Sequence, residues 1–340
     1  MPLTDPDRLF PIEPQARKLA RALYERVAQL PIISPHGHCD PRWFAENAPF
    51  PDPAQLFVVP DHYVFRMLVS QGVPMDDLGL PRADGSVSEA DPRIIWRRFA
   101  ENYHLFRGTP SAMWLDHSFE HVFGMEDRLT AQTADACYDH IATKLAEPAF
   151  RPRALFDSFG IEVLATTESA LDDLRWHKAI AGSGWGGRVV TTYRPDAVVD
   201  PEFEGFAANV TRLGAITGED TGTWGGYLAA HRARRACFKA AGATASDHGH
   251  PTARTEDLPQ AEAAALFAKA LAGRCSVDEA DAFRGQMLTE MARMSLEDGL
   301  VLQIHPGSLR NHSRDVFAHY GRDKGFDIPT PTNYVRALKP

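Results

Sequence analysis

The sequence predicts an α/β fold of parallel βα units, with an all-helical insertion after its first strand. Three observations carry this. From about residue 153 onward, short apolar runs alternate with longer amphipathic runs, the pattern of parallel βα units. Five apolar runs each leave polar or titratable residues at their C-terminal ends, which is where the active sites of α/β barrels sit. Between the first and second of these runs, residues 41–152 hold proline-rich turns and amphipathic helices instead of a strand.

The chain's 340 residues, 44% of them hydrophobic, suffice for a sizeable core. A net charge of −9 argues against a nucleic-acid surface, which needs clustered Lys and Arg. If the substrate is an anion, the field that draws it in must be local. Cys39, Cys137, Cys237 and Cys275 are scattered without a CxxC pair, as suits free thiols in a reducing compartment. The N-terminus lacks the basic and apolar regions of a secretory signal, and no apolar run approaches the roughly 18 residues of a membrane span. The expectation is a soluble cytoplasmic protein with a small-molecule substrate, no nucleic-acid or membrane partner, and a homo-oligomeric assembly.

In chain order, residues 13–29 read as a helix, with Leu19, Leu23 and Val27 four apart and Pro14 suited to its first turn. With the first strand they make a segment over 1–40. Leu30–Ile33 reads as a buried strand ending in His36-Gly37-His38. In extended backbone, residues two apart face the same side, so both imidazoles can converge on one ion. Gly37 then leaves the space between them uncrowded. In the insertion, helices are expected over 62–71, 92–106 and 131–147, with Asp61 as N-cap of the first. The aromatic spacing of the second is a packing pattern.

The segment 153–340 holds the remaining units. Strands are expected at 161–167, at 188–194, before His248, and at 300–305, with helices over 170–181, 202–215, 224–240, 261–272 and 279–297. The strand ends offer His36 and His38, then Thr166, Thr167 and Glu168, then Tyr193 and Arg194, then Asp247 and His248 with His250 beyond, and finally His305. Histidines at three separate strand ends point to a metal site. Arg194 suits a carboxylate, which its planar fork can grip with two hydrogen bonds.

Taken together, several stretches resemble the uronate (glucuronate) isomerase family of the amidohydrolase superfamily. They are Leu30–His38, Pro60-Asp-His-Tyr-Val-Phe-Arg-Met-Leu, Gly160–Glu168, Thr192-Tyr-Arg-Pro-Asp, Ala245-Ser-Asp-His-Gly and Leu302–Asn311. The resemblance runs the length of the chain. It implies a (β/α)8 TIM barrel of the amidohydrolase type with a helical insertion, and one divalent metal ion, zinc by expectation. It implies interconversion of D-glucuronate with D-fructuronate and of D-galacturonate with D-tagaturonate. By the same resemblance His36, His38 and His305 are metal ligands. His62 and Tyr63 reach the substrate as catalytic partners, and Arg194, Asp247, His248 and Arg310 join His62 in binding it. The family pattern also continues to three more strand–helix units and an eighth-strand aspartate, whereas this sequence shows about five strands and stops at Pro340. The expectation is therefore a barrel that is incomplete here, part of a longer protein whose principal base lies beyond, and a chain that folds poorly and turns over little by itself.

An aldose–ketose exchange moves a proton between adjacent carbons while an electrophile polarises the carbonyl. Arg194 would position the substrate, and Tyr63 with His62 would serve as polar partners. Two rivals stand beside this reading: a metal-dependent hydrolase of the same superfamily, and an inactive sugar-acid-binding chain. Asp61-His62-Tyr63, and the absence of a lysine at the fourth strand end to form a bridging carbamate, favour the isomerase.

Overall fold

The five apolar runs form parallel strands, each too short to stand without its neighbours. In the computed structural model, which describes residues 3–340, they are β1 (Ile32–Ser34), β2 (Ile161–Ala165), β3 (Glu168–Ser169), β4 (Arg188–Val190), β5 (Tyr193–Arg194), β6 (Ala245–His248) and β7 (Val301–Ile304). β2 and β3 belong to one run, as do β4 and β5. The Thr166 N–H donates to Val190 O and the Glu168 N–H to Thr192 O, which carries the ladder across the interruption. Pairing is parallel throughout: β1 on β2, β2 on β4, β3 on β5, β5 on β6, and β6 on β7. Asp247 stands level with Gln303, and Tyr193 with Ser246. Helices alternate with these strands, giving the expected α/β fold.

The chain divides into two compact units. The sheet unit comprises Ile32–Glu46, Ile161–Leu309 and Pro329–Pro340. The helical unit comprises the described part of Met1–Pro31, with Asn47–Gly160 and Arg310–Ile328. The helical unit thus takes in more than the 41–152 insertion.

In the sheet unit, helices Phe206–Thr217, Trp224–Ala240, Gln260–Leu271 and Val277–Asp298 carry the apolar cover. Tyr227, Phe238, Phe267, Phe283, Met287 and Met291 pack with Tyr193 in one cluster. Burying each such side chain contributes about 1.5–3 kcal/mol before chain entropy is counted. The longest helix is bounded by local chemistry. Ser276 and Glu279 make a reciprocal capping box, and Gly299 ends the helix at φ 78°.

In the helical unit, Trp96, Phe99, Phe106 and Phe119 lie in a single core with Leu68, Leu78 and Ile141. Asp61 caps His62–Ser70, its carboxylate accepting from the N–H groups of Tyr63 and Val64. The helix expected over 92–106 is two pieces, Pro92–Glu101 and a 3₁₀ turn at Tyr103–Phe106. It breaks where the Asn102 side chain bonds back to Arg98 O.

Several expectations need correction. β1 is not buried: Ile32 and Ile33 are 48% and 62% exposed, because β1 pairs only with β2 and forms an edge of the sheet. The first helix is Pro14–Val27, capped by Glu13, and its Leu19, Leu23 and Val27 are all exposed. The helix expected from residue 170 starts at Arg175, after Leu174 takes a left-handed conformation at φ 55°. All four cysteines are free. No described helix is long and apolar enough to cross a membrane.

Candidate active site

The side chains gathered at the strand tips all belong to the sheet unit. Alternation along each strand decides which of them meet. On β6, Asp247 points to one side while Ser246 and His248 point to the other. On β5, Arg194 shares the Asp247 side and Tyr193 faces the helices. Gln303 and His305, two apart at the end of β7, both reach the Asp247 side, as does the His36–His38 pair beyond β1.

The resulting group is tight. His36 Nε2 and His38 Nε2 lie 3.0 Å apart. His36 Nδ1 is 3.7 Å from Asp247 Oδ1, and His305 Nε2 is 2.9 Å from the same oxygen, close as an ion pair but not aligned as a hydrogen bond. Arg194 Nη1 lies 3.5 Å from Asp247 Oδ2. Asp247 is completely buried, and among the described residues neither of its oxygens has an aligned hydrogen-bond donor, nor does His305 Nε2 have an aligned partner. Burial pushes the Asp247 carboxyl up, but His305, Arg194 and His36 outweigh it and hold the group below the usual carboxylate range. Burial first, and then His36, lowers the pKa of His38.

Gln303 fixes the state of His36. Its amide N–H donates to Pro35 O at 2.9 Å, which turns its Oε1 toward His36 Nδ1 at 3.1 Å. An acceptor there requires His36 Nδ1 to carry a proton, and in the neutral ring Nε2 then presents a lone pair toward His38. Two ring nitrogens 3.0 Å apart then share one proton or face one cation. Nitrogens bound to one zinc ion at about 2.1 Å are roughly 3.4 Å apart in a tetrahedral shell. Among the described residues no set of three or more His, Cys, Asp or Glu is placed as a finished metal site. The donors nonetheless fit a divalent ion in kind: imidazole nitrogens beside a buried, ionised carboxylate with no aligned hydrogen-bond donor.

Gly37 is needed for a different reason than the one its spacing suggests. A Cβ on it would lie 2.7 Å from Ala165 O, so the glycine lets the loop close on β2 rather than clearing space between imidazoles. Thr167 Oγ1 secures that approach by donating to Gly37 O at 2.9 Å.

Other candidates lie elsewhere. His248 is buried on the opposite face of β6, its Nε2 3.1 Å from Ser246 Oγ, and burial drives its pKa well below the ordinary value. It does not join the group that surrounds Asp247. Thr166 and Glu168 also face the helices. Thr166 Oγ1 sits 2.9 Å from His177 Nε2, the Thr191 hydroxyl donates to Glu168, and burial raises the Glu168 pKa to about 7. Tyr193 OH meets His231 Nδ1 at 2.8 Å inside the core. His62, Tyr63 and Arg310 belong to the helical unit. The rings of His62 and Tyr63 are 4.4 Å apart, Tyr63 is 56% exposed, and Arg310 lies 3.9 Å from Asp327.

Reading the sequence missed Gln303 and Asp196 as members of the group. Gln303 was open to discovery, since it stands two before His305 on a strand. Asp196, two past Arg194, accepts from Arg194 Nε at 2.7 Å, though an intervening proline hides that return.

The chain as a whole is similar to known proteins. The family model for glucuronate isomerase matches residues 14–339. A uronate isomerase of Mesorhizobium japonicum is 66% identical over 99% of this chain and 72% of that protein. One from Rhizobium meliloti is 63% identical with the same coverage. Among solved structures, glucuronate isomerase from Caulobacter crescentus superposes with a TM-score of 0.97 at 56% identity, over 100% of this chain and 71% of that one. Uronate isomerase from Thermotoga maritima gives a TM-score of 0.88 at 27% identity, over 98% and 71%.

Proposed function

Because the chain belongs to the glucuronate isomerase family, we propose that its strand-tip group binds a hexuronate beside one divalent ion. Its activity is that of a uronate isomerase, an aldose–ketose isomerisation. The substrates are D-glucuronate, taken to D-fructuronate, and D-galacturonate, taken to D-tagaturonate. The five parallel runs are read as consecutive strands of a (β/α)8 barrel of the amidohydrolase type.

The observation that carries this reading is the convergence of His36, His38, Arg194, Asp247 and His305 from separate strands. Arg194 pairs with the substrate's carboxylate. Asp247, kept ionised by Arg194 and the histidines beside it, accepts hydrogen bonds from sugar hydroxyls and orients the chain of carbons. Isomerisation removes the proton from C2 of the aldose and returns one to C1, while the C2 hydroxyl gives up its proton and the C1 oxygen gains one, so negative charge develops on the C1 oxygen in the enediol-like intermediate. On the family resemblance alone, His62 and Tyr63 are proposed as the polar partners of that step. His36, His38 and His305 would hold the ion, with the Asp247 carboxylate facing it. When bound, the ion supplies Lewis-acid polarisation of the carbonyl.

The test is to incubate the chain with D-glucuronate and follow ketose formation before and after removal of divalent ions by a chelator. Turnover should fall on chelation and return with added zinc, and equilibrium dialysis should find one zinc per chain, lost in a His36→Asn/His38→Asn variant. Turnover untouched by complete metal removal, or a folded chain that binds neither zinc nor D-glucuronate, would overturn the reading.

A further inference from the structure

Arg194 ends β5, Pro195 breaks the strand, and Asp196 opens the short helix Asp196–Val199. The chain therefore doubles back and brings the Asp196 carboxylate against the arginine that precedes it. Oδ2 accepts from Arg194 Nε at 2.7 Å, and Oδ1 accepts the backbone N–H of Gly249, just past β6, at 3.1 Å. One carboxylate thus ties two neighbouring strand tips and holds the guanidinium at its Nε edge. Whatever Arg194 recognises, it recognises through its Nη nitrogens. Gly249 completes the arrangement by leaving room. A Cβ there would stand 2.5 Å from Arg194 Nη2, 2.8 Å from Asp196 Oδ2 and 3.0 Å from His305 Cε1. Arg194 and Asp196 are only 24% and 18% exposed, so the pair is sheltered enough for its geometry to be held.

We propose that Asp196 and Gly249 form a clamp that orients Arg194 for the uronate carboxylate and so sets the site's selectivity for hexuronates over neutral hexoses. The proposal rests on Arg194 binding that carboxylate. Asp196 is a positioning residue, since it acts only through Arg194.

Two physical effects oppose each other at Asp196, which makes the clamp testable. Replacing the carboxylate by an amide makes the site one charge less negative, and charge alone would then tighten binding of an anionic sugar. Losing the clamp loosens the arginine and weakens it. Isothermal titration of the full chain with D-glucuronate, and with D-glucose as the neutral control, separates the two, alongside KM and kcat for ketose formation. Arg194→Ala should weaken glucuronate binding about 100-fold, and Asp196→Asn about tenfold, the scale of hydrogen bonds to charged groups. In Asp196→Asn the loss should fall on KM, with kcat changed less than about threefold. Asp196→Glu, which restores the charge and an acceptor, should recover part of the affinity, and Gly249→Ala should resemble Asp196→Asn. Where Gly249→Ala does not fold, the Asp196 pair decides alone. Undiminished or tighter glucuronate binding in Asp196→Asn, with Arg194→Ala impaired, would overturn the clamp. So would a loss confined to kcat and thermal stability. Unchanged binding in Arg194→Ala would instead overturn the assignment of Arg194.

Discussion

In the helical unit Trp96, Phe99, Phe106 and Phe119 meet one another edge to face, and Thr4 is the single buried polar side chain among its described residues. In the sheet unit Glu168, His177, His231, Arg235, Asp247, His248, His250 and Arg284 are all buried. Burying polar groups costs free energy unless each finds a partner, and most here have one. Arg235 is paired with Asp298, Arg284 with Asp200 and Glu202, and Tyr193 with His231. The exceptions include both oxygens of Asp247 and Nε2 of His305, in the group that the strand tips assemble. The contrast teaches that one unit is stabilised throughout by apolar burial, while the other gives up part of that stability to hold charged groups ready for a ligand.

The largest stability effect should come from breaking the apolar side of this contrast. Trp96 is fully buried, and its indole N–H donates to Ala134 O at 2.9 Å. Trp96→Ala should cost about 3–5 kcal/mol in urea denaturation through cavity formation and an orphaned carbonyl. A loss under about 1 kcal/mol would show that the helical unit is not packed as described.

Next comes the cost of a buried acid. Burial raises the Glu168 pKa to about 7, and burial also lowers the pKa of His177, 3.7 Å away on the facing helix. Asp172 raises the Glu168 pKa further, and Thr166 and Thr191 lower it. A carboxyl with a raised folded-state pKa stabilises the fold fully below its unfolded pKa, and that contribution is lost as pH climbs through the folded value. Glu168 should therefore weaken the protein between about pH 4.5 and 8, by up to roughly 3 kcal/mol. Glu168→Gln should flatten the thermal stability profile over that window. A wild-type profile without this slope would contradict the assignment.

A smaller effect is expected at a paired group away from the strand tips. Arg235→Met keeps the apolar stem but strands the partly exposed Asp298 and Ser295. It should cost about 2 kcal/mol in denaturant titration while leaving zinc binding intact. Loss of zinc in a variant that still folds would mean that the buried pairs and the site cannot be treated separately.

Much of this was legible in the residues. Short apolar runs marked the strands, Asp61 marked a helix start, and His36, Arg194 and His305 each stood at a strand end. What stayed hidden depended on pairing. β1 looked buried because an apolar run carries no sign of being an edge. Asp247 and His248 are adjacent, so which of them faces the other strand tips is decided by the register of β6, which local sequence does not reveal. Gln303 matters through an amide orientation set by Pro35 O, and Asp196 through a chain reversal at Pro195. Both depend on contacts outside any periodic pattern.

Asp247→Asn tests the site most directly, because it alters charge at the centre of the group with almost no change in volume. Removing a buried carboxylate that Arg194 and His305 hold ionised should lower the melting temperature by roughly 2–8 °C while the chain still folds. The rate of ketose formation from D-glucuronate should nevertheless fall by about 100-fold or more. A folded Asp247→Asn chain turning over within about twofold of the parent would contradict the assignment of these strand tips as the uronate site.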